Sequence, residues 1–239
     1  MAKTVLATAA DADCVAVVEY LKAQTMYPAA PSGVCVEKTR EIHRLTHSLV
    51  LWRFRLKRIP DHGQVFIEEI ASDAVQILPQ LVTGFVKPFK LLARGFVENA
   101  LRHIYFIDHR IEFEKMNRLP KWYVSVEELF DYALDHPSLR DAEKQFDAIN
   151  KMKMLYADLS AAVHGRRVQD FQMKIALSKI TYGDAMFTEE AKTLARCTEA
   201  VNYTLAAFHL TQFRSFGVAD RKIILSTLSQ TAKKALTGL

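Results

Sequence analysis

Apolar residues recur every three or four positions along most of this chain, and alternation with a period of two is almost absent. That spacing puts one face of an α-helix inward. The pattern predicts a helix over residues 3–24, with Asp11 or Asp13 as a candidate N-cap, then a loop at residues 27–33 where two prolines and a glycine interrupt it. A second helix is predicted from Glu37 to Arg58, with Ile42, Leu45, Leu49 and Trp52 on its buried face and Arg53, Arg55, Lys57 and Arg58 at its end. From Val65 to about Met116 the pattern reads as two helices, the first carrying Pro79 near its end. Ser125 with Glu128 forms a capping-box signature for the next helix. Another is predicted from Ser138 to His164, with Gly165 as its left-handed terminator, and two more patterns complete the chain. Only QMKIALSKITYG alternates briefly, and it has no partner strand. The fold class is therefore all-α, an antiparallel helical bundle. Residues 1–60 are expected to form an N-terminal helical extension and residues 61–239 the bundle.

One helix stands out. The run from Phe89 to Arg110 is apolar nearly all round, with Phe89, Leu92, Phe96, Leu101, Ile104 and Ile107 spread about it, as in a buried helix. Yet Glu98, Arg102, Tyr105 and His109 fall within roughly 60° of one another at about 100° per residue. Charged groups are costly to bury unless they pair or face a cleft. The seam is thus either a structural network or a site. A second file lies on LYADLSAAVHGRR, where Tyr156, Ser160 and His164 are spaced four apart and so share a face. Arg166 and Arg167 follow it and are suited to draw a nucleic-acid backbone in.

Composition narrows the field less. Half of the 239 residues are hydrophobic, enough for a sizeable core, and the net charge of +5 is compatible with a polyanionic partner. The three cysteines, Cys14, Cys35 and Cys197, lack CxxC spacing, so neither a disulfide framework nor a zinc-thiolate site is expected. His43 and His47 stand four apart without the carboxylate of an HExxH pattern, and no metal or cofactor is expected from them. No P-loop, GxGxxG or GxSxG motif appears. The start of the chain lacks the features of a signal peptide and no 18-residue apolar run occurs, which predicts a cytoplasmic protein that neither spans nor binds a membrane.

The E-x-x-L-R core from Glu98 to Arg102, followed 50 to 60 residues later by LSAAVHG, resembles the HEPN superfamily of prokaryotic toxins and antiphage systems, over about residues 65–215. The resemblance implies an up-and-down helical bundle, often a homodimer, and in many members a metal-independent endoribonuclease that pairs an arginine with a histidine four to six residues later. Arg102 and His109 have HIYFID between them. At the more usual place for that motif, the helix ending in His164, the chain has Leu159 where an arginine would stand and Ser160 next to it. The resemblance implies catalytic roles for His164 or His109 as acid or base, Arg102 as phosphate brace and Glu98 or Ser160 as orienting groups. Its alternative is a non-catalytic module that binds RNA or a partner protein of a defence or toxin–antitoxin system.

Overall fold

The computed structural model describes residues 5–56, 59–165, 176 and 179–238, with side chains from residue 10 onward. Among these residues there are helices and no strand. In order they are α1 (Val5–Ala23), α2 (Gly33–Arg55), α3 (Asp61–Val82), α4 (Val86–Asp108), α5 (Arg110–Arg118) and α6 (Val126–Asp135). There follow α7 (Arg140–Phe146), α8 (Ala148–His164), α9 (Asp184–Phe208), α10 (Leu210–Ser215), α11 (Val218–Ser226) and α12 (Gln230–Thr237). The all-α bundle expected from the periodicity is what the chain forms. No described helix is long and apolar enough to cross a membrane. Half of the strand-like stretch QMKIALSKITYG falls outside the described residues.

The helix whose apolar residues spread all round lies at the centre of the bundle. α4 packs against α3, α8, α9, α6 and α5. Phe89, Ala93, Phe96, Val97, Ala100, Leu101 and Ile104 are buried on it. Only three residues separate α3 from α4, so the two run antiparallel. The turn is made at Gly84, whose φ of +84° disfavours a side chain and whose Cβ would strike the Thr181 carbonyl at 2.5 Å.

The expected boundary at residue 60 does not divide the core. One hydrophobic cluster runs from Leu21 through Trp52 to Leu236, and α2 lies within it, packed on α3, α9 and α11. Trp52 is fully buried on α2, with Phe213 and Phe216 at 5.7 and 5.4 Å between ring centroids. Its indole N–H donates to Asn202 Oδ1 on α9 at 2.8 Å. The Asn202 amide in turn donates to Ser48 on α2 at 2.8 Å and to Thr227, just past α11, at 2.9 Å. One buried side chain therefore uses its acceptor and both donor hydrogens to join three elements.

Local capping explains where the helices stop. The Ser125–Glu128 capping box forms, its two bonds 2.8 and 3.2 Å long. Gly165 ends α8 at φ +59°, as the sequence predicts. The run predicted from Ser138 to His164 is instead split at Asp147, which is left-handed at φ +56°. Asp tolerates that region better than most residues, and the Glu143 carboxylate stabilises the break by accepting from the Ile149 amide at 2.9 Å. His109 and His209 similarly separate α4 from α5 and α9 from α10.

His209 is buried against a second histidine, His103 of α4, their Nε2 atoms 2.7 Å apart. His103 Nδ1–H donates to the Gly63 carbonyl at 2.8 Å, so its Nε2 accepts from His209 and both rings are neutral. Burial holds both imidazoles well below their ordinary pKa. The unfolded chain then binds protons that the folded chain refuses as pH drops below about 6.5, so stability declines toward acid.

Two outcomes follow from this packing. Asn202→Leu orphans the Trp52 N–H and lowers unfolding free energy by about 1–3 kcal/mol in urea melts followed by circular dichroism. Stability measured from pH 7 down to pH 5 falls by roughly 1 kcal/mol per pH unit for each histidine of the buried pair once below the unfolded pKa, and His209→Phe flattens that dependence.

Candidate functional site

Residues four apart share a helix face. On α4 this rule aligns Arg94, Glu98 and Arg102, and on α8 it aligns Tyr156, Ser160 and His164. The two files meet where α4 packs on α8. Glu98 Oε1 accepts from Arg102 Nη2 at 2.6 Å, while its Oε2 lies 3.8 Å from Arg94 Nη2 and 3.4 Å from the Tyr156 hydroxyl. Arg94 continues to His164, with Nη1 2.9 Å from Nε2. Glu98 thus faces Tyr156, and one turn earlier on α4 Arg94 faces a residue two turns later on α8. That order requires the two helices to run antiparallel.

The cluster is partly open. Side-chain exposure is 16% for Glu98, 20% for Arg94 and 33% for Arg102, and His164 is exposed at the end of α8. Its fixed charge is two guanidiniums less one carboxylate, a net +1. Arg94 also lies over the Tyr156 ring, 5.3 Å from its centroid, a cation–π contact. Burial, and then the Glu98 carboxylate, raise the Tyr156 pKa, so the phenol keeps its proton and donates to Glu98. A guanidinium has donors only. His164 Nε2 must therefore accept from Arg94, which leaves the ring proton on Nδ1 and makes Nε2 the basic nitrogen.

The sequence candidates divide. Glu98, Arg102 and His164 belong to one connected network. Ser160 is on the same face of α8 but is buried, 5% exposed, and its hydroxyl bonds to neither Glu98 nor His164; it packs beneath the site. His109 is elsewhere. Its Nδ1–H donates to the Tyr105 carbonyl at 2.7 Å and its ring stacks on Tyr105 at 4.0 Å and meets Tyr132 edge-on at 4.8 Å. At 1.5 Å per residue it lies about 22 Å along the helix axis from Arg94, so His109 and His164 do not share a site within one chain. The Arg102–His109 spacing pairs nothing, because Arg102 turns back to Glu98 and His109 back to Tyr105. Arg166 and Arg167 lie outside the described residues.

Arg94 is the residue that sequence reading missed. The signal was present, since Arg94 stands four before Glu98 as Arg102 stands four after it. It brings a guanidinium from α4 to the end of α8, 2.9 Å from His164 Nε2.

Compared with protein-family models, curated proteins and solved structures, the chain matches none.

Removing the shared carboxylate leaves two half-buried guanidiniums facing each other. Glu98→Gln, which keeps the shape, lowers stability by about 1–2 kcal/mol, read as a drop of a few degrees in Tm.

Proposed function

We propose that this chain is a HEPN-like, metal-independent endoribonuclease that cleaves RNA at the Arg94–His164 pair. The observation that carries the reading is the 2.9 Å contact between Arg94 and His164. It supports the reading because it pairs an arginine of α4 with the histidine that ends α8, where the stretch before His164 has Leu159. An incoming phosphate takes up the donors of Arg94 and frees the His164 Nε2 lone pair. His164 then accepts the proton of a ribose 2′-hydroxyl, the 2′-oxygen attacks phosphorus, and the bond to the 5′-oxygen breaks as that oxygen gains a proton. The products are a 2′,3′-cyclic phosphate and a 5′-hydroxyl. Arg94 and Arg102 balance the charge that grows on the phosphate, and Glu98 holds both in register.

One histidine per site can act as base while a second donates the proton. A homodimer that brings two copies of His164 to one phosphodiester supplies both, as the HEPN resemblance implies. The same resemblance puts the activity in a cytoplasmic toxin–antitoxin or antiphage-defence system, with a partner protein that restrains it. A specific observation favours a second reading, a non-catalytic module that binds RNA or that partner. Glu98 already satisfies Arg102 and meets Arg94 and the Tyr156 hydroxyl, as a network that only fixes helix register would.

Purified protein incubated with total RNA and a chelator separates the two. The nuclease reading predicts fragments with 2′,3′-cyclic ends, and a loss of cleavage of at least about 100-fold in His164→Ala, a general base being worth that much or more, with Tm unchanged because His164 is exposed. Absence of cleavage under every condition, or cleavage that the chelator abolishes, supports the non-catalytic module.

A further inference from the structure

A second cluster of titratable side chains lies away from the α4–α8 site, where α1 meets α2. His43 and His47 are one turn apart on α2, their rings stacked with centroids 5.6 Å apart and planes 24° apart. Both turn a nitrogen toward a single carboxylate oxygen of α1. His43 Nε2 is 2.9 Å and His47 Nδ1 is 3.5 Å from Asp13 Oδ2. The three atoms all lie within 4.8 Å of one another.

An Asp–His hydrogen bond explains only one side of this triangle. At 3.5 Å the His47 nitrogen is too far for a good hydrogen bond, yet it points at the same place. Donors bound tetrahedrally to zinc at 2.0–2.2 Å sit about 3.4 Å from each other, a spacing that the two measured edges bracket. Two imidazoles and one carboxylate suit zinc rather than calcium or magnesium, which prefer oxygen alone. His43 is itself 7% exposed, so its ring is fixed by packing before any ion arrives. The Asp13 side chain is 53% exposed, which leaves a path from solvent.

We propose that Asp13, His43 and His47 form a zinc site that clips α1 to the bundle. Zinc binds His43 at Nε2 in the neutral tautomer that carries its one proton on Nδ1. Three protein ligands leave the fourth position to water. α1 gains most from the bond, because Cys14 and Leu21 are the only side chains it buries among those described. The bundle core beneath α2 does not depend on it. The site is separate from Arg94 and His164, so a chelator that strips the zinc leaves RNA cleavage intact.

Zinc titration of the metal-stripped protein by calorimetry, with cobalt as a spectroscopic probe, tests the site. The expected result is one zinc per chain, a tetrahedral cobalt visible band, and slower proteolysis within α1 when zinc is bound. His47→Ala and Asp13→Ala each weaken zinc binding at least about tenfold. His47 is partly exposed, so a metal-free melting curve like the wild type is expected for His47→Ala and verifies that it folds, with His47→Gln serving where His47→Ala does not; Asp13→Ala also removes the partner of His43 and is read on zinc affinity. Cys14→Ser leaves zinc affinity unchanged. No stoichiometric zinc binding by the wild type, or binding that survives His47→Ala and His47→Gln at full strength, overturns the proposal.

Discussion

Everything in the α4–α8 region turns on one carboxylate. Glu98 stands between two guanidiniums on a helix that buries Phe89, Phe96, Val97 and Ile104 in the core, and without an anion there neither cation could be brought so far out of water. Because its two oxygens are taken by different neighbours, the carboxylate also fixes how α8 slides along α4: Tyr156 must come opposite Glu98, and His164 then falls opposite Arg94. The same arrangement leaves one positive charge uncompensated at the open end of the cluster. A phosphate is the sort of group that such a place attracts.

A site of this kind needs walls that do not move, and the core provides them. Phe89, Phe96, Val97 and Ile104 hold α4 on the side away from the charges. Asn202 joins α2, α9 and the end of α11 through three hydrogen bonds in the dry interior. The histidine pair of His103 and His209 adds a polar contact where α4 passes the α9–α10 break. Such buried polar groups fix register, since each has one arrangement in which it is satisfied.

The overall fold was plain in the periodicity, because a 3.6-residue repeat has only one structural meaning over so many turns. Caps with a short-range signature were equally plain, as at Ser125 with Glu128 and at Gly165. The breaks at Asp147, His109 and His209 were hidden, since Asp and His in non-helical conformations leave the apolar spacing on either side almost undisturbed. The proline and glycine near residue 60 mark a loop between helices of one interior, in which Trp52 on α2 packs with residues of α9 and beyond. All of the candidate site but Arg94 could be read from residue spacing. Glu98 and Arg102 announced themselves on α4 and His164 on α8, but which arginine meets which histidine depends on how two helices cross. For the same reason Asp13 was invisible beside His43: 30 residues separate them, and only packing of α1 on α2 brings them together.

The central claim is that Arg94 and His164 act as one unit on RNA. A double-mutant cycle on the cleavage rate, with Arg94→Ala, His164→Ala and the pair combined, measures this directly. Groups that act as a unit are far from additive, so the double variant is expected to cleave no more slowly than the slower single variant. Losses that multiply, or single variants that cleave like the wild type, would contradict the account.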